Sequence, residues 1–163
     1  MIKAVIFDMY ETLITLLEGP MYFGAHMAAD SGIEKEKFLS MWNEAEEDRT
    51  VGKRTLEDTV AWILKENNRY SEDLLTTLVQ KRKDSRKACF DYLHPEIIPM
   101  FEELKKRGVQ IGLISNCFSE EVEAIRESIL FPYFDVACLS FEKKVKKPDE
   151  AIFTGCMREL EVL

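Results

Sequence analysis

Three short apolar segments, each followed by a helical pattern, constrain the fold of this chain more than any other feature. They read IKAVIF near the start of the sequence, VQIGLISN after residue 108 and FDVACLSF after residue 133. Runs this short and apolar, rich in β-branched residues, are typical of strands that are buried on both faces of a sheet. Strands that alternate with helices pair in parallel, so the sequence predicts an α/β fold with a parallel sheet.

A block without any strand pattern separates the first strand from the other two. Apolar residues recur there at helical spacing in four sets, and helix-start signals occur at Ser31, three residues before a glutamate, and at Thr55. The pattern predicts an inserted bundle of four helices. We therefore predict a Rossmann-like core of residues 1–15 and 88–163, with residues 16–87 forming a helical-bundle cap between its two parts.

The composition argues against several classes of function. The chain of 163 residues carries a formal net charge of −8, whereas proteins that bind nucleic acid or anionic membranes need basic patches. No apolar run approaches the ~20 residues of a bilayer span, and the first residues do not resemble a signal peptide. The four cysteines are scattered without a CxxC pair, which is typical of reduced thiols, so we expect a cytoplasmic protein.

A functional group follows each predicted strand. Asp8 follows the first strand, Ser115 and Asn116 end the second, and Lys147 lies in the loop after the third. The carboxyl ends of parallel strands meet at one edge, where open α/β sheets bind their ligands. A carboxylate can act as a nucleophile, while a hydroxyl and an ammonium can bind the oxygens of a transferred anion. Each residue alone has an ordinary explanation as a turn, cap or surface residue, so the argument depends on their shared position.

The segments around these residues resemble the first three motifs of the haloacid dehalogenase-like (HAD) hydrolase superfamily. They read VIFDMYETL, IGLISNC and KKPDEAIF, and the resemblance covers nearly the whole chain. It implies that Asp8 is a nucleophile that forms a covalent aspartyl intermediate, and that Thr12 supports the loop of this nucleophile. It also implies that Ser115 and Asn116 bind the transferred group, and that Lys147 holds both the nucleophile and the anion.

The same resemblance implies Mg²⁺ in phosphatase members, bound by Asp8, the backbone carbonyl of Tyr10, phosphate and waters. Tyr10 departs from those members, which have there a second Asp that acts as general acid and base. A phenol with a reference pKa near ~10 replaces that proton shuttle poorly. The 2-haloacid dehalogenase branch carries Tyr at this position, because a halide leaves without a proton. A third interpretation has the Tyr10 ring packed beneath the cap, with its carbonyl alone facing the metal.

The predicted cap and the end of the sequence point away from a complete dehalogenase or phosphatase. The dehalogenase branch uses a cap arginine to bind carboxylate and halide, but Asn43 follows Trp42 where that arginine is expected, with Arg49 nearby. Family members continue after the Lys-Pro-Asp helix into a strand that ends in acidic metal ligands, whereas this sequence stops at RELEVL. We therefore expect a truncated core, weak Mg²⁺ binding and self-association through an uncovered sheet edge.

These observations give an ordered set of functional hypotheses. The first is a Mg²⁺-dependent phosphatase that acts on a small phosphorylated metabolite, and the second is a metal-free 2-haloacid dehalogenase. The third is a non-catalytic relative that binds a partner. Both enzymes would take a small anionic substrate. A receiver-type signalling domain does not fit, because receivers place an acidic pair after the first strand and the phospho-acceptor after the third.

Overall fold

A three-stranded parallel sheet lies at the centre of the computed structural model, which describes residues 1–163. The strands are β1 (Ala4–Phe7), β2 (Gln110–Ser115) and β3 (Val136–Leu139), with β2 in the middle. Phe7 pairs with Leu113 and Ser115 pairs with Leu139, so the strands run in one direction toward a shared edge. We name this end of the sheet the carboxyl edge. The predicted α/β fold with a parallel sheet is confirmed.

Nine α-helices surround the sheet. They are α1 (Gly24–Ser31), α2 (Lys35–Glu44), α3 (Glu46–Thr50), α4 (Leu56–Glu66), α5 (Glu72–Ala88), α6 (Ile97–Lys106), α7 (Ser119–Glu127), α8 (Ser140–Lys143) and α9 (Glu150–Glu159). Helix α6 stops just before Gly108, whose φ of +72° is a backbone conformation that glycine adopts without strain. None of the helices has the combination of length and hydropathy that crossing a bilayer requires.

The buried apolar residues form separate clusters. The main cluster has 13 residues and fills the space under one face of the sheet, with Phe101, Ile111 and Leu113 among its members. A cluster of 5 residues, including Ile114, packs α9 against the opposite face, because successive strand residues point to opposite sides. A third cluster of 11 residues lies wholly within residues 27–79. Helices α1, α2, α4 and α5 therefore share an apolar core of their own, and we name helices α1 to α5 together the α1–α5 bundle.

The α1–α5 bundle contains one helix more than the four that the sequence predicts. The additional helix, α3, has the sequence EEDRT, which shows no apolar periodicity to detect. Helix α5 continues to Ala88, across the predicted cap boundary at residue 87. The limits of the cap stay a prediction, since its helices pack on the core as well as on one another.

The two predicted helix starts in this bundle have different outcomes. Thr55 is confirmed as an N-cap, because its hydroxyl accepts the Asp58 N–H at 3.1 Å and the Asp58 carboxylate accepts the Thr55 N–H at 3.1 Å. The prediction that Ser31 begins a helix is wrong, because Ser31 is the last residue of α1. Glu34 begins α2 instead, and its carboxylate accepts the N–H groups of Glu36 and Lys37. Glu34, the glutamate three residues after Ser31, is therefore itself the N-cap of α2.

Buried ion pairs between α5 and α7 attach the bundle to the core. Arg82 Nε lies 3.0 Å from Glu120 Oε1, and Arg86 Nε lies 3.1 Å from Glu121 Oε1. The four side chains are at most 5% exposed, so each charge depends on its partner rather than on water. Burial raises the pKa of Glu121 and lowers the pKa of Arg86, because it disfavours the charged form of both groups.

Candidate functional site

Asp8 and Lys147 form an ion pair at the carboxyl edge of the sheet. Lys147 Nζ lies 2.9 Å from Asp8 Oδ1 and donates to the carbonyl oxygen of Ile114 at 3.2 Å. The same Oδ1 accepts the N–H of Met9 at 2.9 Å, whereas Oδ2 of Asp8 accepts no hydrogen bond from the protein. One oxygen of the carboxylate is therefore held in place while the other is free to react.

A tight turn after β1 holds Asp8 at this position. The carbonyl oxygen of the buried Met9 accepts the N–H groups of Thr12, Leu13 and Ile14 at 3.4, 2.9 and 3.1 Å. Thr12 itself is exposed, and its side chain makes no hydrogen bond. It borders a different depression, together with residues 92–95. The structure places Thr12 in the turn of the predicted nucleophile but not among the side chains that contact Asp8.

The end of β2 contributes Ser115 and Asn116 to the same edge. Ser115 is fully buried, and its hydroxyl has one distant contact, at 3.5 Å from the Asn116 carbonyl oxygen. The Asn116 side chain bonds to Lys147, where Oδ1 accepts the backbone N–H at 2.8 Å and Nδ2 donates to the carbonyl oxygen at 3.1 Å. The structure thus joins Asp8, Lys147 and Asn116 through direct contacts, with Ser115 adjacent in the chain.

Tyr10 turns its hydroxyl into the interior rather than into this group. Its ring packs against the main apolar cluster, and its Oη is buried without a hydrogen-bond partner. Burial raises the pKa of Tyr10 well above its usual value, and the negative charge of Glu121 raises it further. A phenol in this environment keeps its proton at neutral pH and has no partner to which it could pass it.

The arginine of α3 lies between the α1–α5 bundle and the loop after β2. The Arg49 guanidinium sits 3.6 Å from the ring centroid of Trp42 and 4.2 Å from that of Phe118. Burial lowers the pKa of Arg49 to about 10. Its Nη2 donates to the Trp42 carbonyl at 3.5 Å, but Nε and Nη1 are buried without partners. Asn43, at the position where the family resemblance leads us to expect a cap arginine, is exposed.

Sequence reasoning missed Ser140, which joins the bundle to the carboxyl edge. Its fully buried hydroxyl accepts the Cys117 N–H at 2.9 Å and donates to the Thr50 carbonyl at 2.8 Å. Close by, Lys144 Nζ donates to the Gly52 carbonyl at 2.7 Å. Gly52 has a φ of +71°, and a Cβ there would collide with the loop that carries Lys144. Ser140 directly follows β3, so the strand-end rule that identified Asp8 applies to it as well.

A depression of about 250 Å³ opens beside the Asp8–Lys147 pair. It is lined by Ile6, Phe7, Asp8, Ile114, Lys147 and Phe153. No three His, Cys, Asp or Glu side chains converge on a metal position anywhere in the structure. The unbonded Oδ2 of Asp8 is a hard oxygen donor, and Mg²⁺ keeps several waters when a protein supplies few ligands. A magnesium ion at this position would therefore take one oxygen from Asp8 and most of its other ligands from water and substrate.

Comparison with known proteins identifies related sequences and folds. A family model described as haloacid dehalogenase-like hydrolase matches residues 2–163. No curated protein matches the sequence significantly. A crystal structure of a HAD family enzyme from Bacteroides thetaiotaomicron is similar at 15% identity and a TM-score of 0.71, over 99% of this chain and 80% of that chain.

Two further solved structures extend the comparison. A 2-haloacid dehalogenase from Pseudomonas syringae pv. Tomato is similar at 23% identity and a TM-score of 0.68, over 99% of this chain and 74% of that chain. A HAD-like family hydrolase from Porphyromonas gingivalis is similar at 15% identity and a TM-score of 0.60, over 98% of this chain and 76% of that chain. At these identities the structures support the fold, and they include more than one kind of enzyme.

Proposed function

This chain belongs to the haloacid dehalogenase-like hydrolase family, and from that premise we propose that it is a phosphatase of small phosphorylated metabolites with Asp8 as its nucleophile. The observation that carries the proposal is the contact of 2.9 Å between Lys147 Nζ and Asp8 Oδ1 at the carboxyl edge. The ammonium holds the carboxylate in one orientation, and its positive charge attracts an anionic substrate to the reacting oxygen.

The reaction proceeds in two displacements at phosphorus. An oxygen of Asp8 attacks the phosphorus, the bond to the leaving oxygen breaks, and the leaving group departs with the bonding electron pair. Water then attacks the phosphorus of the aspartyl phosphate, which releases inorganic phosphate and restores the Asp8 carboxylate. Lys147 neutralises negative charge during both displacements, and Ser115 and the end of β2 form the side of the site where the phosphoryl oxygens lie.

A magnesium ion suits this chemistry and this donor set. The Bacteroides thetaiotaomicron enzyme was crystallised in complex with magnesium and inorganic phosphate, which supports phosphoryl chemistry on the shared fold. The Asp8 carboxylate and the Tyr10 backbone carbonyl are the groups that would hold the ion, and when bound it would polarise the phosphoryl group and reduce charge repulsion. Because the chain supplies one carboxylate here, we expect magnesium to bind weakly, with a substrate oxygen among its ligands.

Tyr10 restricts the substrates of such a phosphatase. Its buried hydroxyl cannot deliver a proton to a leaving oxygen, so the enzyme lacks general acid catalysis from this position. The loss of a general acid slows departure of poor leaving groups by roughly 10²–10⁴-fold. We therefore propose that aryl and acyl phosphates are better substrates than alkyl phosphates, because an aryloxide or a carboxylate departs without being protonated.

The same residue favours a second candidate, a 2-haloacid dehalogenase. A halide leaves carbon without a proton, so a tyrosine in place of the second aspartate does not impair this reaction. The similar structure from Pseudomonas syringae is a 2-haloacid dehalogenase, and it supports this candidate by showing that such an enzyme has the same fold. In this reaction Asp8 attacks the carbon that bears the halogen, the carbon–halogen bond breaks, and water hydrolyses the resulting ester.

One pair of assays on the purified protein separates the candidates. Phosphate release from aryl, acyl and alkyl phosphates is measured with Mg²⁺, and halide release from 2-halo acids is measured with a chelator. We expect phosphate release that stops when magnesium is removed, is fastest for aryl and acyl esters, and is abolished in Asp8→Asn with an unchanged circular dichroism spectrum. Halide release without phosphate release would establish the dehalogenase. If neither product forms across a broad set of substrates, a non-catalytic, partner-binding role replaces both.

A further inference from the structure

The side chain of Asn116 holds the backbone of Lys147 at two points. Its Oδ1 accepts the Lys147 N–H at 2.8 Å, and its Nδ2 donates to the Lys147 carbonyl oxygen at 3.1 Å. A backbone N–H only donates and a carbonyl oxygen only accepts, so one orientation of the amide satisfies both bonds. Each polar end of the Asn116 side chain therefore makes one bond to the same residue, and Asn116 is not among the residues that line the depression beside Asp8.

Lys147 needs such a restraint because no regular element contains it. It lies in the loop between α8 and α9, and its long side chain reaches back to the Ile114 carbonyl and to Asp8. Asn116, in contrast, directly follows β2, the central strand of the sheet. The two bonds thus attach a loop residue to the end of the central strand, 31 positions earlier in the chain.

We propose that Asn116 is a positioning residue, which fixes Lys147 so that its ammonium holds Asp8 Oδ1, and which makes no contact with the substrate. This assignment replaces the expectation that Asn116 binds the transferred group. Its kinetic consequences rest on the proposed function, but the attachment of Lys147 does not. Substrate would be bound by Lys147 itself and by the remaining groups of the edge.

A kinetic double-variant cycle distinguishes positioning from substrate contact. Asn116→Ala should lower kcat by about 10- to 100-fold with nearly unchanged KM, because a misplaced ammonium affects the reaction more than binding. In the double variant with Lys147→Met, activity should fall no further than in Lys147→Met alone, since Asn116 acts through Lys147. Asn67→Ala is the matched control, as it removes an amide that bonds to a carbonyl of α4, and it should keep wild-type kinetics.

Amine acylation followed by mass spectrometry tests the attachment without any substrate. In Asn116→Ala the labelling rate of Lys147 should rise several-fold, because the ammonium is no longer held against Asp8 and Ile114. Lys146, which pairs with Glu47, serves as the internal reference and should label at an unchanged rate. Asn67→Ala should alter neither lysine.

The outcomes separate this proposal from the proposed function. An unchanged labelling rate of Lys147 in folded Asn116→Ala would overturn the positioning role. A raised KM with independent losses in the double variant would instead assign Asn116 to substrate binding. If the wild type turns over no substrate, the proposed function fails while the labelling still decides the positioning role. If Asn116→Ala does not fold, Asn116→Asp replaces it, because this variant sets a second acceptor against the Lys147 carbonyl oxygen. Lys147 should then also be labelled faster than in the wild type. A wild-type labelling rate of Lys147 in Asn116→Asp would overturn the proposal.

Discussion

At the scale of single residues, the buried polar atoms without partners are the least expected feature. They are Tyr10 Oη, Arg49 Nε and Nη1, and Arg86 Nη1, and all belong to the region where the α1–α5 bundle meets the core. An unpaired buried donor costs about 1–3 kcal/mol of stability, because it has given up its bonds to water. The boundary next to the candidate site therefore carries polar atoms that cost stability, where apolar atoms of similar shape would be more stable.

Tyr10→Phe tests this cost directly. The substitution removes a hydroxyl without a partner and keeps the ring in the main apolar cluster, so the free energy of unfolding should rise by about 1–3 kcal/mol. Urea denaturation measures the change. Tyr70→Phe is the control, since the Tyr70 hydroxyl bonds to Glu72 on the surface, and it should change stability by less than about 0.5 kcal/mol. A loss of stability in Tyr10→Phe would mean that the hydroxyl has a partner in solution.

At the scale of elements, the packing of α5 on α7 determines how the bundle is attached. Buried ion pairs and exposed ion pairs both join these two helices. Arg82–Glu120 and Arg86–Glu121 are buried, whereas Lys87 bonds to Glu127 at 2.9 Å with side chains 39% and 58% exposed. An exposed pair contributes little because water screens it, while the loss of one buried partner leaves an uncompensated charge.

Two glutamates of α7 provide a matched comparison. Glu120→Ala should lower the free energy of unfolding by about 3–5 kcal/mol, because it leaves the Arg82 guanidinium buried without its carboxylate. Glu127→Ala, on the same helix and facing the same partner helix, should cost less than about 1 kcal/mol. Guanidinium chloride denaturation followed by circular dichroism measures both. Equal losses in the two variants would show that the attachment does not depend on the buried charges.

The strands that precede Asp8 and Lys147 were predictable because their signals are local. An apolar run followed at once by a carboxylate specifies a strand and its carboxyl end, and parallel pairing then brings strand ends together. The partner of the Asn116 amide was not predictable, because it depends on the path of a loop 31 residues later. Arg49 lies in a polar segment that favours exposure, and its burial follows from the tertiary packing of Trp42 and Phe118.

At the scale of the whole molecule, the sheet has an open side at β1. This strand pairs with β2 alone, so the hydrogen-bonding groups along its other edge have no strand partner. Apolar side chains accompany this edge, with Ile6 36% and Phe153 38% exposed. Unpaired strand edges with apolar neighbours promote pairing with another chain. The prediction from the sequence that the protein self-associates through an uncovered edge is untested, and the structure specifies which residues to change.

Ile6→Lys tests self-association through this edge. We expect the wild type to form dimers or larger species as its concentration rises, and a lysine at this position to oppose them by placing a charge where two β1 edges would meet. Sedimentation velocity over a range of concentrations measures the change. Ile129→Lys is the matched control, because Ile129 is 59% exposed but lies after α7, away from β1. A wild type that stays monomeric at high concentration contradicts the prediction, and an equal effect of the two variants would place the contact elsewhere on the surface.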